Sequence, residues 1–487
     1  MPIDPRTPVL VGAGAVQQKL EDPREAKEPI ELILEALERA AEDAGSRELL
    51  ERATTVRMPR GFWDYPDPGR FVAERFGARL RSEVAELGIL QTTLFGRSAG
   101  AIASGEEDVV LIAGGEAKYR SLRAQILGIE APLTRQASDV APDEVLRPHD
   151  EILSQAELAH GLGMPVGQYA LMENALRFAE KKSIDEHVRE VAETWAGMSR
   201  VAATNPLAWN PEPVSAETIA TPTAKNRMLA FPYTRLHNSQ WNVDQAAGLI
   251  LCSVQTAKQL GIREDRWLFP LAAAESNHMV PLCERAVLHR SPGFRIGFER
   301  ALAHAGLGAA ELDHVELYSC FPVAVRIQLR ELGLSPTRPL TVTGGMAFGG
   351  GPLNNFALQA MARMADVLRG APGTTGMVTA VSGMLTKQGV TLWSTRPPER
   401  PFSFLDVTAD VARELVRVPF AAEYAGPATV ASCTVLHGAA EPTAVFLCDT
   451  PEGGRTLASS RAPEMLRSVE ATETCGRTIQ VACGAVQ

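Results

Sequence analysis

Hydrophobic positions follow two different spacings near the start of the chain. Residues 8–13 form an apolar run, which predicts a buried strand. Residues 29–45 repeat apolar side chains every three or four positions, which predicts an amphipathic helix. Residues 94–104 predict another helix, and residues 108–113 predict a second buried strand. Such alternation of strands and helices is typical of an α/β fold with a largely parallel sheet.

The regular alternation of strands and helices is interrupted between residues 118 and 230. There, prolines and loop signals surround two predicted helices, 167–182 and 184–201. An excursion of this length between sheet elements is typical of a binding loop or a lid. A further helix is predicted at 243–260.

The opening pattern recurs after Pro292. Residues 36–45 and 297–306 share Glu, Arg, two Ala and Gly at matching places, and a helix at 356–368 followed by a strand at 376–381 repeats the earlier helix and strand. The repeat favours a duplicated fold. Alanine-rich helices also match by chance, so coincidence stays open as an alternative.

The tail has a different pattern. Residues 396–401 form a proline-rich break of the kind found between domains. Four short strands are then predicted at 418–424, 429–436, 444–449 and 478–482, which indicate a small β-barrel or sandwich.

Composition narrows the functional classes. The 487 residues carry a net charge of −10, and the basic residues are spread along the chain without an evident patch, which argues against nucleic-acid binding. No apolar run reaches the roughly 18 residues of a membrane span, and the first residues lack the pattern of a signal peptide. Seven cysteines without a pairing pattern suit a reducing compartment. We therefore expect a cytoplasmic protein.

Residues 342–356 are the most unusual segment, with five glycines in eight residues and then a proline. Such a backbone lets another group approach closely, and its amides could hold a carbonyl oxygen or an anion. The alternative is a turn under a packed neighbour.

Cys320 follows a predicted strand, where sheet enzymes place chemistry, although a single cysteine is more often a small buried apolar residue. The cysteines of the tail show no CxxC pair, so no metal site is predicted.

These stretches together resemble the thiolase superfamily from about Thr7 to Ser394. The resemblance rests on residues 101–116, Asn238 to Ala247 and Gly344 to Pro352, and Tyr318 to Pro322 with Leu385-Thr-Lys387 is most similar to the thiolase-like proteins of type 1. That branch resembles acetyl-CoA acetyltransferases and carries a C-terminal domain similar to an OB-fold.

The resemblance implies a duplicated thiolase fold. Two βαβαβαββ halves would form five layers, followed by a small C-terminal β-barrel-like domain. The implied boundaries are 1–290 for the first half with a loop domain at about 118–230, 291–397 for the second half, and 402–487 for the β domain.

The resemblance also assigns catalytic positions, and this chain departs from each of them. The nucleophilic cysteine of thiolases corresponds to Gly88, and no cysteine precedes Cys252. The histidine of the Gly-His-Pro motif corresponds to Gly351, and the later cysteine falls within Val381-Ser382-Gly383. The motif that is Asn-Glu-Ala-Phe, or His-Asp-Cys-Phe in sterol-carrier-type thiolases, reads Tyr318-Ser319-Cys320-Phe321 here. The resemblance therefore implies no conventional thiolase mechanism.

Three functions follow as expectations. The first is a thiolase-like protein of lipid metabolism that binds CoA or acyl-CoA without a permanently bound cofactor, through Asn238, Gly349, Gly350, Gly351, Asn354 and Ser382. The second is an acyltransferase that uses Cys320, assisted by Tyr318, Lys387 or His237. The third is an interaction protein that holds a protein partner through 402–487. A homodimer and a monomer are both left open.

Overall fold

The computed structural model describes residues 3–438 and 441–486, so the first and last residues of the predicted domains lie outside it. The strands are β1 Pro8–Gln18, β2 Thr55–Pro59, β3 Arg81–Ala85, β4 Val109–Ala117, β5 Glu144–Leu146, β6 Met228–Ala230, β7 Tyr233–Thr234, β8 Asp244–Ser253, β9 Phe269–Ser276, β10 His314–Glu316, β11 Thr375–Ser382, β12 Lys387–Ser394, β13 Ser403–Asp406, β14 Ala425–Leu436, β15 Thr443–Asp449, β16 Arg455–Ser460, β17 Thr478–Ala482 and β18 Ala485–Val486.

The helices are α1 Pro29–Ala44, α2 Glu48–Arg52, α3 Pro68–Phe76, α4 Gln91–Ser104, α5 Lys118–Leu127, α6 Gln155–Ala159, α7 Pro165–Ala179, α8 Ile184–Ala202, α9 Ala216–Ala220, α10 Val254–Gln259, α11 Pro292–Ala305, α12 Pro322–Leu332, α13 Gly345–Phe348, α14 Phe356–Gly370, α15 Thr408–Glu414 and α16 Pro463–Ala471. None of the helices in the described ranges is long and apolar enough to cross a membrane.

Two core sheets repeat one strand order. The first runs β1-β8-β4-β2-β3-β5, and the second, read from β9, runs β9-β12-β11-β10. The matching pairs have matching directions, antiparallel for β1–β8 and β9–β12 and parallel for β2–β4 and β10–β11. Where the first sheet has β3, the second has an extended segment whose Leu340 carbonyl accepts a hydrogen bond from the Leu317 amide. The predicted duplication is confirmed.

The helices divide the core into five layers. Helix α1 packs on β1, β8 and β4, and α11 packs on β9 and β12. Helices α4 and α14 contact strands of both sheets and form the middle layer. Because α4 and α14 are buried between two apolar sheets, small residues of these helices lie where the sheets approach closely. A Cβ on Gly96 of α4, for example, would lie 2.4 Å from the Phe404 ring.

The predicted helix at 243–260 is wrong. Residues 244–253 form β8, which lies between β1 and β4, and α10 follows it. All ten residues of β8 are buried. A central strand covered on both faces loses the polar alternation that identifies a strand, so its apolar run is easily read as a buried helix.

The C-terminal barrel is built from β14 to β18, which close into a ring through the β14–β15 pair. Strand β6 of the loop region pairs with β14, so the hairpin β6–β7 extends the barrel sheet. The predicted strand at 418–424 is wrong, because this stretch makes only an isolated bridge from Phe420 to Arg455.

The chain after the proline-rich break returns to the core. Strand β13 pairs with β9 of the second core sheet, and α15 packs against α11. Residues 403–414 thus lie with the second half, whereas the sequence places everything after residue 402 in the tail. The sequence could not show this, because a proline-rich segment has the same composition in a linker and in a loop that leads to a sheet edge.

Candidate functional site

The glycine-rich loop is packed closely against the segment that leads into β8. Gly344, Gly345 and Gly350 have positive φ angles of 97°, 71° and 104°. A Cβ on Gly350 would lie 2.2 Å from Oε1 of Gln245, and a Cβ on Gly351 would lie 2.0 Å from Oγ of Ser239. The packed-neighbour alternative therefore explains why Gly350 and Gly351 have no side chain.

Several polar side chains around this loop are buried without a hydrogen-bond partner among the described residues. They include Oε1 of Gln245, both side-chain polar atoms of Asn355, Oδ1 of Asn238 and Nε2 of His237. An unpaired buried polar atom costs about 1–3 kcal/mol, and most folded proteins contain few of them. Their concentration on both sides of the glycines indicates a place where polar groups of another molecule could be bound.

Asn354 connects the two middle-layer helices. Its Oδ1 accepts a hydrogen bond of 2.7 Å from Nε2 of Gln91, the first residue of α4, and its Nδ2 donates to the Arg60 carbonyl at 3.3 Å. Asn355 immediately precedes α14. The starts of α4 and α14 therefore meet beside the glycine loop, and both present backbone amides of a kind that favours negative charge.

Lys387 and Ser382 lie opposite each other in the β11–β12 hairpin. Lys387 is 2% exposed, and its Nζ donates a 3.2 Å hydrogen bond to the Gly88 carbonyl. Burial lowers the pKa of this amine, and the charges of Asp150 and Glu275 oppose the change only in part. A Cβ on Gly88 would lie 3.1 Å from Cγ of Pro148, so protein covers the position that the resemblance assigns to the nucleophile.

Cys320 is 8% exposed, and burial raises the pKa of its thiol to about 12, although a hydrogen bond from Tyr169 acts in the opposite direction. The Cys320 carbonyl accepts a hydrogen bond from the Ser239 amide, which brings the residue next to the glycine loop. Burial also raises the pKa of Tyr318. Neither Lys387 nor His237 forms a hydrogen bond with Cys320 in the described part of the chain. The thiol therefore has little thiolate character at neutral pH.

His237 is a poor base in this environment. It is 1% exposed, and burial lowers its pKa to about 4. Its Nδ1 lies 3.1 Å from the Thr234 amide nitrogen and 3.0 Å from the Thr234 hydroxyl. No group of three or more His, Cys, Asp or Glu residues in the described ranges could hold a metal ion.

Three exposed cations form a small basic cluster that the sequence did not suggest. Lys225, Arg227 and Arg235 lie on and beside the β6–β7 hairpin, where the Arg235 amide donates to the Arg227 carbonyl and Nη1 of Arg235 donates to the Lys225 carbonyl. None of them forms an ion pair with another described residue. The cluster escaped the sequence analysis because the hairpin, not the chain order, brings Arg235 to the other two.

The basic cluster leads directly to the glycine loop. The Asn238 amide donates to the Arg235 carbonyl, and the Gly351 amide donates to the Gln240 carbonyl. The exposed Arg235 is therefore three residues before Asn238, whose Oδ1 has no partner among the described residues. Gln240, two residues further on, connects this segment to Gly351. The Gly349–Gly351 loop is connected to Asn238 through the segment 238–240, and Asn354 is hydrogen-bonded to Gln91 and Arg60. Lys387, which pairs with Ser382, is hydrogen-bonded to Gly88.

Sequence reasoning also missed three buried acids, Glu116, Glu275 and Glu316. Burial raises the pKa of each to about 7. Glu116 accepts the Phe62 amide, Glu275 accepts the Thr93 hydroxyl, and Glu316 accepts amides and hydroxyls of residues 341–343. Glutamate is usually exposed, and no local pattern distinguishes these three from surface residues.

No protein-family profile and no curated protein sequence matches the chain. Among solved structures, the chain is similar to a monomeric SCP2-thiolase-like protein type 1 from Mycobacterium smegmatis, with 28% identity and a TM-score of 0.84 over 100% of this chain and 99% of that one. It is also similar to an Ltp2–ChsH2(DUF35) aldolase, with 20% identity and a TM-score of 0.60 over 80% of this chain and 99% of that one.

An acetyl-CoA acetyltransferase from Syntrophomonas wolfei matches with 17% identity and a TM-score of 0.58, over 81% of this chain and 100% of that one. At such identities the last two similarities show the fold alone. The first match covers the whole chain and so includes the C-terminal barrel, whereas the other two cover about four fifths of it. The chain therefore has a thiolase-like fold, and over its whole length it is similar to an SCP2-thiolase-like protein of type 1.

Proposed function

We propose that the protein binds CoA or an acyl-CoA and takes part in acyl-CoA metabolism without conventional thiolase turnover. The observation that carries the proposal is the unpaired basic cluster of Lys225, Arg227 and Arg235, which leads through Asn238 to the glycine loop. CoA combines phosphate groups with a thioester. Exposed cations suit the phosphates, and unpaired amides suit the carbonyl and amide groups of the rest of the molecule.

The proposed lack of turnover is supported by the residues at the positions that the resemblance assigns to catalysis. Gly88 offers no nucleophile, and Gly351 offers no imidazole. An acyltransferase that uses Cys320 is the weaker alternative, because a thiol with a pKa near 12 is almost entirely protonated at neutral pH and no base contacts it among the described residues. Cys320, Tyr318 and Lys387 remain the residues to test for that alternative.

We propose a monomer located in the cytoplasm. Strand β5 pairs with β3, so this edge of the first core sheet ends in a strand of only three residues, and short edge strands disfavour pairing with another chain. The M. smegmatis protein is described as monomeric. All seven cysteines are free, as suits a reducing compartment. A sedimentation experiment tests the oligomeric state, and a stable dimer would contradict the monomer.

A protein partner at the barrel is a second proposal, motivated by the ChsH2(DUF35) partner in the solved aldolase complex. Co-purification of a partner should then require the exposed surface of β14 to β18. A partner that binds equally well after substitution of exposed barrel residues would locate the contact elsewhere.

Calorimetric titration with CoA tests the proposed function. We expect saturable binding that weakens as salt is added, because the phosphate contacts are electrostatic. Replacing Lys225, Arg227 and Arg235 with Gln should weaken binding by about tenfold or more, since hydrogen bonds to charged groups contribute about 1.5–3 kcal/mol each.

The matched control replaces Arg47, Arg189 and Arg467 with Gln. These arginines are exposed and form no ion pair in the described ranges, so the control makes the same change in net charge at scattered positions. If both triple variants lose affinity equally, the basic cluster has no specific role. If the unmodified protein gives no binding heat, the proposed function is wrong.

A further inference from the structure

The groove beside the glycine loop has an exposed aromatic rim, which we define as Phe62, Lys118 and Trp241. Phe62 is 52% exposed and Trp241 is 39% exposed, and their ring centroids lie 5.9 Å apart in an edge-to-face arrangement. Nζ of Lys118 lies 3.7 Å from the centroid of Phe62 and 3.9 Å from that of Trp241. These cation–π contacts fix both rings at the surface.

Hydrogen bonds of the loop that carries Phe62 hold this ring at the surface. Nε1 of the neighbouring Trp63 donates to the Gly115 carbonyl, and the hydroxyl of Tyr65 donates to Glu28. Both side chains are buried, at 4% and 1% exposure, while the Phe62 amide is held by Glu116. The loop is thus anchored at Phe62 and just after it, and of its three aromatic rings only that of Phe62 is exposed.

Both rings are attached to the proposed ligand site. Trp241 follows Gln240, whose amide donates to the Met346 carbonyl and whose carbonyl accepts the Gly351 amide. Phe62 lies two residues after Arg60, whose carbonyl accepts from Asn354. Residues 60–66 also line a shallow groove of about 560 Å³, which is large enough for an apolar group of considerable size.

The direction of the ligand is taken from the order of these features along the chain. Arg235 of the basic cluster comes first, Asn238 follows three residues later, and Trp241 of the rim comes three residues after that, next to Gln240, whose carbonyl accepts the Gly351 amide. An acyl-CoA with its phosphates at the cluster and its thioester near Gly351 would extend its acyl group toward the rim.

We infer that the aromatic rim binds the acyl group, and that the ligand is an acyl-CoA with a large apolar acyl chain rather than acetyl-CoA. This inference rests on the proposed function. Acetyl is too small to cover Phe62 and Trp241, whereas a longer chain would remove both rings from water.

The test compares CoA, acetyl-CoA and dodecanoyl-CoA, the last kept below its micellar concentration, by calorimetric titration of the full chain. Dodecanoyl-CoA should bind at least about tenfold more tightly than acetyl-CoA, a gain that burial of roughly two methylene groups supplies. Phe62→Ala with Trp241→Ala should remove most of this difference and leave the affinity for CoA unchanged, which also shows that the variant is folded.

The control replaces Met164 and Val416 with Ala, because these apolar residues are 57% and 64% exposed and lie outside the rim. Trp241→Phe keeps a ring and should retain much of the preference. Equal affinities for acetyl-CoA and dodecanoyl-CoA would overturn the inference, as would a preference that survives the double substitution. If none of the three compounds binds, the proposed function fails and the inference fails with it.

Discussion

At the residue scale, the proposed site depends on the close packing of Gly350 against Gln245. Gly350 combines a φ of 104° with a neighbour, Gln245, that occupies the space of a side chain. Gln245 is itself fully buried, and its Nε2 donates to the Gly349 carbonyl at 2.8 Å. The loop and the start of β8 are thus held in one arrangement, which places Asn238 and Gly351 together.

Gly350→Ala should lower the free energy of unfolding by about 2 kcal/mol or more, because it adds both a steric overlap and an unfavourable backbone conformation. Chemical denaturation measures the change. Gly370→Ala in α14 is the matched control, since nothing lies within 4 Å of its added Cβ. The control should be neutral or stabilising by about 0.4–1 kcal/mol. Equal stability of the two variants would mean that the loop is not packed as described.

The sequence predicted this loop but not its neighbour. Five glycines in eight residues are evident in the sequence, whereas Gln245 was predicted to lie inside a helix at 243–260 and Ser239 just before it. The basic cluster was missed for the same reason, because a hairpin contact brings Arg235 to Lys225. Contacts between residues that are distant in the sequence cannot be recognised from local sequence patterns.

At the element scale, the repeated strand order explains what could be predicted. Helix α1 has a proline at its start, a capping box of Glu28 and Glu31, and Gly45 at its end, so its bounds were readable from the sequence. The equivalent start and end signals of α11 made the duplication visible. Strand β8 was not readable, because α1 packs on one face of its sheet and α4 and α14 on the other, which buries both faces of the strand.

The contact between β9 and α4 gives a pH dependence. Glu275 on β9 is 5% exposed, accepts the Thr93 hydroxyl, and has a pKa raised to about 7 by burial. Since the folded-state value lies above the ordinary value of 4.5, the folded protein binds the extra proton between about pH 4.5 and 7. This contribution to stability is therefore complete below pH 4.5 and is lost as the pH rises through 7.

Glu275→Gln should reduce the loss of stability between pH 5 and pH 8 by up to about 3 kcal/mol, from the size of the pKa shift. Denaturation curves at several pH values measure the slope. Glu212→Gln, at an exposed position, should leave the slope unchanged. A Glu275→Gln slope identical to that of the unmodified protein would show that Glu275 does not titrate in this range.

At the scale of the whole molecule, the barrel has an apolar cluster of its own and is also joined to α7 by hydrogen bonds and an ion pair. Asn174 of α7 donates to the Cys433 carbonyl at 2.9 Å and to the Phe231 carbonyl at 3.1 Å, and the Ser432 hydroxyl donates to the Leu171 carbonyl. Arg177 forms an ion pair with Glu473, and Arg177 is almost fully buried. These contacts join α7 directly to the barrel.

Hydrogen exchange should therefore give the amides of β14 and α7 the same opening free energy, because both belong to one cooperative unit. Exposed amides near Cys483, in the turn before β18, should exchange earlier and serve as the internal control. Early exchange of β14 while α7 stays protected would make the barrel an independent domain, as the sequence boundary at residue 402 suggests.

The central claim is that the thiolase fold of this chain binds a CoA ester but does not perform thiolase chemistry. The most direct measurement titrates the full chain with acetyl-CoA in a calorimeter and follows free CoA thiol in the same samples. The account predicts saturable binding heat and no release of thiol above the rate in buffer. Release of thiol that requires the protein would contradict the loss of turnover, and the absence of any binding heat for acetyl-CoA and for CoA would contradict the binding site itself.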